Sequence, residues 1–141
     1  MKKRNVPLTS ESESAIIKSD TLAKQLEFDF VCRTDFEAFL KSIPAKDRAK
    51  LLATILNTEI HGMTVAIKMQ WVKKIETDLY ELRSKQGNNI QRALYFHKMN
   101  NVYVITHGFT KKRDRTPETE KEKARALRAK YMKEDKNNEQ D

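Results

Sequence analysis

A chain of 141 residues has room for one domain with a single core, and with 38% hydrophobic against 34% charged residues part of that length is expected to lie outside the core. The formal net charge of +8 favours a polyanionic partner, most simply nucleic acid, although a soluble basic protein without one carries the same balance. Cys32 is the only cysteine, which excludes an internal disulfide and a thiolate metal cluster.

Residues 1–14 are polar and rich in Ser and Glu, and "AIIKSDTLAKQL" after them is weakly helical, so residues 1–25 are read as a flexible arm. The basic start is followed by no apolar run of signal-peptide or transmembrane length, which predicts a cytoplasmic protein without a membrane partner. "LEFDFVC" (26–32) sets Leu26, Phe28, Phe30 and Cys32 on one face and charged Glu27 and Asp29 on the other, the period of a half-buried strand. Thr34 and Glu37 fit a capping box, and Phe36, Phe39, Leu40 and Ile43 follow at helical spacing. Pro44 breaks that helix and opens a second, with Leu51, Leu52, Ile55, Leu56 and Ile60 on one face and Gly62 as its C-terminal cap.

Residues 63–78 fit either a strand or a loop leading into a short helix. Three β-like runs follow, at 79–84, 91–97 and 102–109, joined by the Gly/Asn-rich connections "KQGNN" and "KMNN" that favour a meander of tight hairpins. Thr116 as cap, Pro117 at the first helical position and Glu118 and Glu120 behind them open a last helix with a stripe of Ala124, Leu127 and Tyr131. The predicted fold is α+β: a two-helix hairpin and a C-terminal helix packed on a small, mainly antiparallel sheet. It divides into the arm, a domain over 26–132, and a polar, frayed tail over 133–141.

The positive charge is not spread evenly. Residues 68–115 hold eleven Lys/Arg against four Asp/Glu, whereas residues 1–67 have a net charge of +1 and residues 116–141 a net charge of zero. Its densest stretch, "HGFTKKRDRTP" (107–117), lies between a strand and a helix. With a four-residue hairpin loop, Arg83 and Arg92 pair across strands on one face, and the same register brings His107 to that face. Two adjacent arginines repel, so the pair wants an anion, and guanidinium groups bind phosphate through two parallel hydrogen bonds. The simpler alternative pairs these arginines with Glu81 and Glu76 as surface salt bridges, which are common. Lys111, Lys112 and Arg113 reach toward the same face as phosphate or leaving-group partners, or form a solvated run. His107 is either structural or an acid/base group whose pKa a cationic pocket would lower. The histidines lack metal-ligand spacing and the acidic residues do not cluster, so no metal or other cofactor is expected.

"LYELRSKQGNNIQRALYF" followed by "VYVITHGFTKKRDRTPETEKEKARALRAKY" resembles the RelE/ParE superfamily of toxins, and within it the HigB-like branch of phage-derived loci. The likeness covers about residues 36–132 and is strongest from residue 79. It implies a type II toxin that cleaves mRNA in the ribosomal A site without metal, by attack of the RNA 2′-OH on the adjacent phosphate, and that a cognate antitoxin holds inactive. On that reading Arg83 and Arg92 hold the scissile phosphate, Lys111 and Lys112 the backbone or leaving group, and His107 a proton. Lys73, Lys74, Lys98, Arg113 and Arg115 then dock mRNA and ribosomal RNA. Family members with a tyrosine shortly after the basic motif have no counterpart at Asp114–Glu118. A ParE-like inhibitor of DNA gyrase and an RNA-binding protein with a degenerate site remain as alternatives.

Overall fold

The computed structural model describes residues 23–112 and 115–140. Most of the expected arm, residues 1–22, and Arg113 lie outside them. The elements are β1 (Glu27–Phe30), α1 (Arg33–Ser42), α2 (Ala45–His61), α3 (Met63–Lys68), β2 (Val72–Glu76), β3 (Leu79–Gln86), β4 (Asn89–Met99), β5 (Val102–Lys111) and α4 (Glu118–Gln140). One five-stranded sheet runs in the order β1-β5-β4-β3-β2; β1 lies parallel to β5 and every other pair is antiparallel. The expected α+β architecture is the observed one. The ambiguous stretch after Gly62 resolves into both a helical turn and an edge strand. Among the described residues no helix is long and apolar enough to cross a membrane.

Alternation along the strands gives the sheet two apolar faces. One packs Leu82, Ala93, Tyr95 and Ile105 against Phe36, Leu40, Leu51 and Ile55 of the helical hairpin. The other packs Leu79, Leu94 and Phe109 against Ala124 of α4. The hairpin sits very close to β5. A Cβ added at Gly108 would stand 2.4 Å from the Phe39 ring, so only glycine fits there.

Several local expectations are corrected. Cys32, not Thr34, precedes the first turn of α1, and no side-chain cap forms. The buried stripe of α2 is Asp47, Leu51, Thr54, Ile55, Thr58 and Glu59, while Leu52 is exposed. Polar residues can occupy that stripe because each has a partner. Thr54 and Thr58 donate to carbonyls one turn back, and Glu59 accepts the Phe28 N–H at 2.8 Å. Asp47 accepts from Gln91 Nε2 at 2.9 Å, and Gln91 in turn accepts from Thr110. Gly62 does end α2, at φ +89°, donating to the Thr58 carbonyl. The tail expected to fray continues α4, held by Lys98 Nζ, which donates to Tyr131 Oη and Asp135 Oδ1 at 3.2 and 3.1 Å.

Candidate nucleic-acid interface

The β3–β4 hairpin turns on Gly87, whose φ of +62° suits a residue without a side chain, and its ladder puts Arg83 directly opposite Arg92. Arg92 in turn opposes Phe109, and Lys111 opposes Ile90. Lys98 in β4 and Thr106 in β5 are each left unpaired by a bulge, and the two shifts cancel, so Leu94 still opposes His107. Alternation therefore gives Glu81, Arg83, Arg92, His107 and Lys111 to the α4 side of the sheet.

The anion that the arginines require is internal. Glu81, two residues before Arg83 and 1% exposed, lies 3.3 Å from Arg92 Nε, 3.9 Å from Arg83 Nε and 3.9 Å from Lys111 Nζ. Thr116, expected to cap α4, instead donates its hydroxyl to Glu81 Oε1 at 3.2 Å. The pairing with Glu81 is thus real but buried, and Glu76 is taken by Arg125 rather than by either sheet arginine.

One carboxylate among three cations leaves positive charge in excess. Arg92 and Lys111 are each only 6% exposed. Burial depresses the pKa of both; Glu81 counteracts this, and the neighbouring cations depress both further. Nε of Arg83 and Nε of Arg92 are buried without a hydrogen-bond acceptor among the described residues. Beside this cluster a cavity of about 150 Å³ is lined by Glu81, Lys111 and Thr116 together with the outer cations Lys73, Lys74, Arg115 and Lys121. Lys73, Lys74 and Arg83 also border a second cavity, and Arg83 with Arg92 borders a third that adds Lys50 and Lys85 beside Trp71. The cations thus follow a track around the β2–β3 edge of the sheet. Lys50 and Lys85 were missed by the sequence reading, although period-two alternation from Arg83 marks Lys85.

Other expected site residues stand elsewhere. His107 is buried beneath α4, roughly 10 Å or two strand spacings from Glu81. Its Nε2 pairs with Glu120 Oε1 at 2.8 Å, and its Nδ1 lies 3.1 Å from the Thr106 hydroxyl, which donates to the Leu94 carbonyl at 3.2 Å. Burial lowers its pKa, opposed by Glu120 and assisted by Lys123. A pKa below the usual value was expected, but burial is its first cause, not a cationic pocket. Both ring nitrogens meet partners, so the ring joins β5 to α4, an arrangement that favours the structural alternative for His107 over the proton carrier. Lys98, tied to α4, lies about 20 Å along β4 from Arg92 and is outside the track. Lys112 is exposed one residue past β5 and makes no ion pair among the described residues. Among the described residues no group of three or more His, Cys, Asp or Glu is placed to hold a metal ion.

A family described as phage-derived protein Gp49-like matches residues 38–129, from within α1 to within α4. The chain belongs to the Gp49-like family. That family is phage-derived and toxin-like, within the RelE/HigB-like superfamily, and the mainly antiparallel sheet with its C-terminal helix is consistent with a RelE-like fold. No match to this Gp49-like chain was found among curated proteins. Membership of a toxin-like family implies an antitoxin partner.

Proposed function

We propose that this Gp49-like protein is the toxin of a type II toxin–antitoxin pair, of HigB-like type, and that it cuts mRNA in the ribosomal A site. The observation that carries this reading is the gathering of Arg83, Arg92 and Lys111, from three strands, within 4 Å of one buried carboxylate at the end of a basic track. In the proposed reaction the RNA 2′-OH gives its proton to Glu81, and its oxygen attacks the adjacent phosphorus. The bond to the 5′-oxygen breaks, leaving a 2′,3′-cyclic phosphate. That 5′-oxygen takes a proton from Lys111, whose lowered pKa makes it the readier acid. Arg83 and Arg92 stabilise the charge that develops on the phosphate. Lys73, Lys74 and Arg115 hold flanking backbone. The sequence resemblance supports the ribosome as the setting.

The test is induced expression with mapping of mRNA 5′ ends. The intact protein gives cuts in frame with codons, and Lys111→Met, which keeps the volume, lowers cleavage by roughly 100-fold or more. Undiminished cutting by a folded Lys111→Met protein sinks the assignment. The saturation of Glu81 by internal cations favours one other reading, an RNA-binding protein with a degenerate site, which binds the same RNA and releases no product. A ParE-like gyrase inhibitor would leave mRNA intact and provoke DNA damage.

A further inference from the structure

A cavity of about 730 Å³ lies on the opposite face of the sheet from Glu81, under α3. Its wall follows from register. Tyr80 opposes Tyr95 and His97 opposes Tyr103, so alternation gathers four rings on neighbouring positions of three strands. Tyr80 and Tyr95 stack at 5.3 Å, Tyr103 meets Tyr95 edge-on at 5.8 Å, and His97 lies 4.9 Å from Tyr103. Phe28, the register partner of Tyr103 on β1, packs beside Tyr103 and edge-on to Tyr95.

His97 Nε2 meets the Asn100 carbonyl at 2.7 Å, but the phenol hydroxyls of this wall lack good partners. Tyr95 Oη donates only to the weak acceptor Met63 Sδ, at 3.3 Å. The hydroxyls of Tyr80 and Tyr103, both partly buried, make no hydrogen bond among the described residues. Burial first, and then the neighbouring phenols, raise the pKa of Tyr95, and burial followed by Tyr80 raises that of Tyr103. At the rim stand Lys73, Lys74 and Arg83, and no Asp or Glu lines the cavity among the described residues. The chemistry required of an occupant is therefore a flat apolar face, acceptors on its edge and a negative charge beside it.

We propose that this cavity seats one unpaired nucleotide of a single-stranded RNA, its base against Tyr80 and Tyr103 and its phosphate on Lys73, Lys74 and Arg83. The inference rests on the reading of RNA as the partner but not on cleavage. The volume falls within the ~300–1,000 Å³ of small-ligand sites. Every base offers a stacking face and edge acceptors, which suits a platform without strict sequence preference. Ile67 is 61% exposed at the mouth, and an aliphatic anchor of a protein partner would also cover it. Such an anchor would bury two phenol donors with no acceptor, an unfavourable exchange that a base avoids.

The experiment is fluorescence anisotropy of the full-length protein with a labelled single-stranded RNA hexamer and with the same hexamer made abasic. Intact RNA is expected to bind roughly tenfold more tightly than abasic RNA, and Tyr80→Leu and Tyr103→Leu each to remove roughly that factor for intact RNA alone. Lys74→Ala weakens both. Circular dichroism checks the fold. Should the Leu variants fail to fold, Tyr80→Phe and Tyr103→Phe, which delete only the hydroxyls, and the intact-against-abasic ratio of the parent decide. Equal affinity for the two RNAs overturns the proposal, as does normal RNA binding by folded Tyr variants that instead lose a protein partner. Base-dependent binding without cleavage would sink the nuclease reading alone, and cleavage without base dependence would sink this one alone.

Discussion

Glu81 is the residue on which the cation cluster turns. With the carboxylate present, Arg92, Arg83 and Lys111 share one counter-ion; with an amide there, they face one another without it. Glu81→Gln should therefore lower stability by about 3 kcal/mol, because removing one partner leaves buried charge uncompensated. Urea denaturation measures it, and added inorganic phosphate should restore part of the loss by taking the vacated place. A variant as stable as the parent would mean that the cations are already solvated. His107 sets a second expectation. Burial holds its folded pKa below the ordinary value of about 6.5, so as pH falls the unfolded chain takes the proton first and stability is lost. The loss starts near the unfolded value and is complete once pH is below the folded one. Glu120 and Lys123 of α4 are the charged groups that act on the ring. His107→Gln keeps an N–H for Glu120 without titrating, so its urea midpoint should fall less than the parent's between about pH 7.5 and pH 5.5. Equal falls would remove His107 as the cause.

At the level of elements, the contact of β5 with α1 is the least tolerant. Gly108→Ala places a methyl against the Phe39 and Phe36 rings and should cost about 1–3 kcal/mol, read as a lower thermal midpoint with the same fold. An unchanged midpoint would show that α1 moves aside freely. The meander from Leu79 to Phe109 was legible in sequence because its alternation and Gly/Asn turns agree with each other, and that agreement also gave the pairing of Arg83 with Arg92. The inner face of α2 was not legible. Helical periodicity selects apolar residues, whereas Thr58 and Glu59 are buried because Thr54 O and Phe28 N are waiting for them, and such partners are set by the tertiary fold. The same limit applied at the site. Alternation located two arginines wanting an anion, but it could not say that the anion would be Glu81 of the same strand. Residues 63–78 stayed ambiguous because a short apolar run suits a helical turn and an edge strand alike.

At the scale of the whole sheet, β2 is an edge strand, and it carries Lys73 and Lys74. Lysines on an edge strand have an ordinary use, since they discourage pairing with another chain, so Lys73 and Lys74 alone do not prove an RNA track. Their joint position bordering two cavities, next to Arg83 on one side and Lys111 on the other, is what a track requires. The two uses differ in their response to salt. If both lysines neutralise RNA phosphates, each contributes about 0.7 to the slope of log affinity against log salt, so Lys73→Glu with Lys74→Glu should flatten that slope by about 1.4. The loss of affinity should be largest at low salt and shrink as salt rises, because exposed charges are screened. Both side chains are exposed, so the fold is expected to persist. A matched reversal at exposed Lys130 and Lys133 on α4, with the same change in net charge, isolates position from overall charge. If the two double variants shift the slope alike, only net charge matters and the β2 edge is not the path of the RNA. A change confined to the β2 pair places the strand on the binding surface.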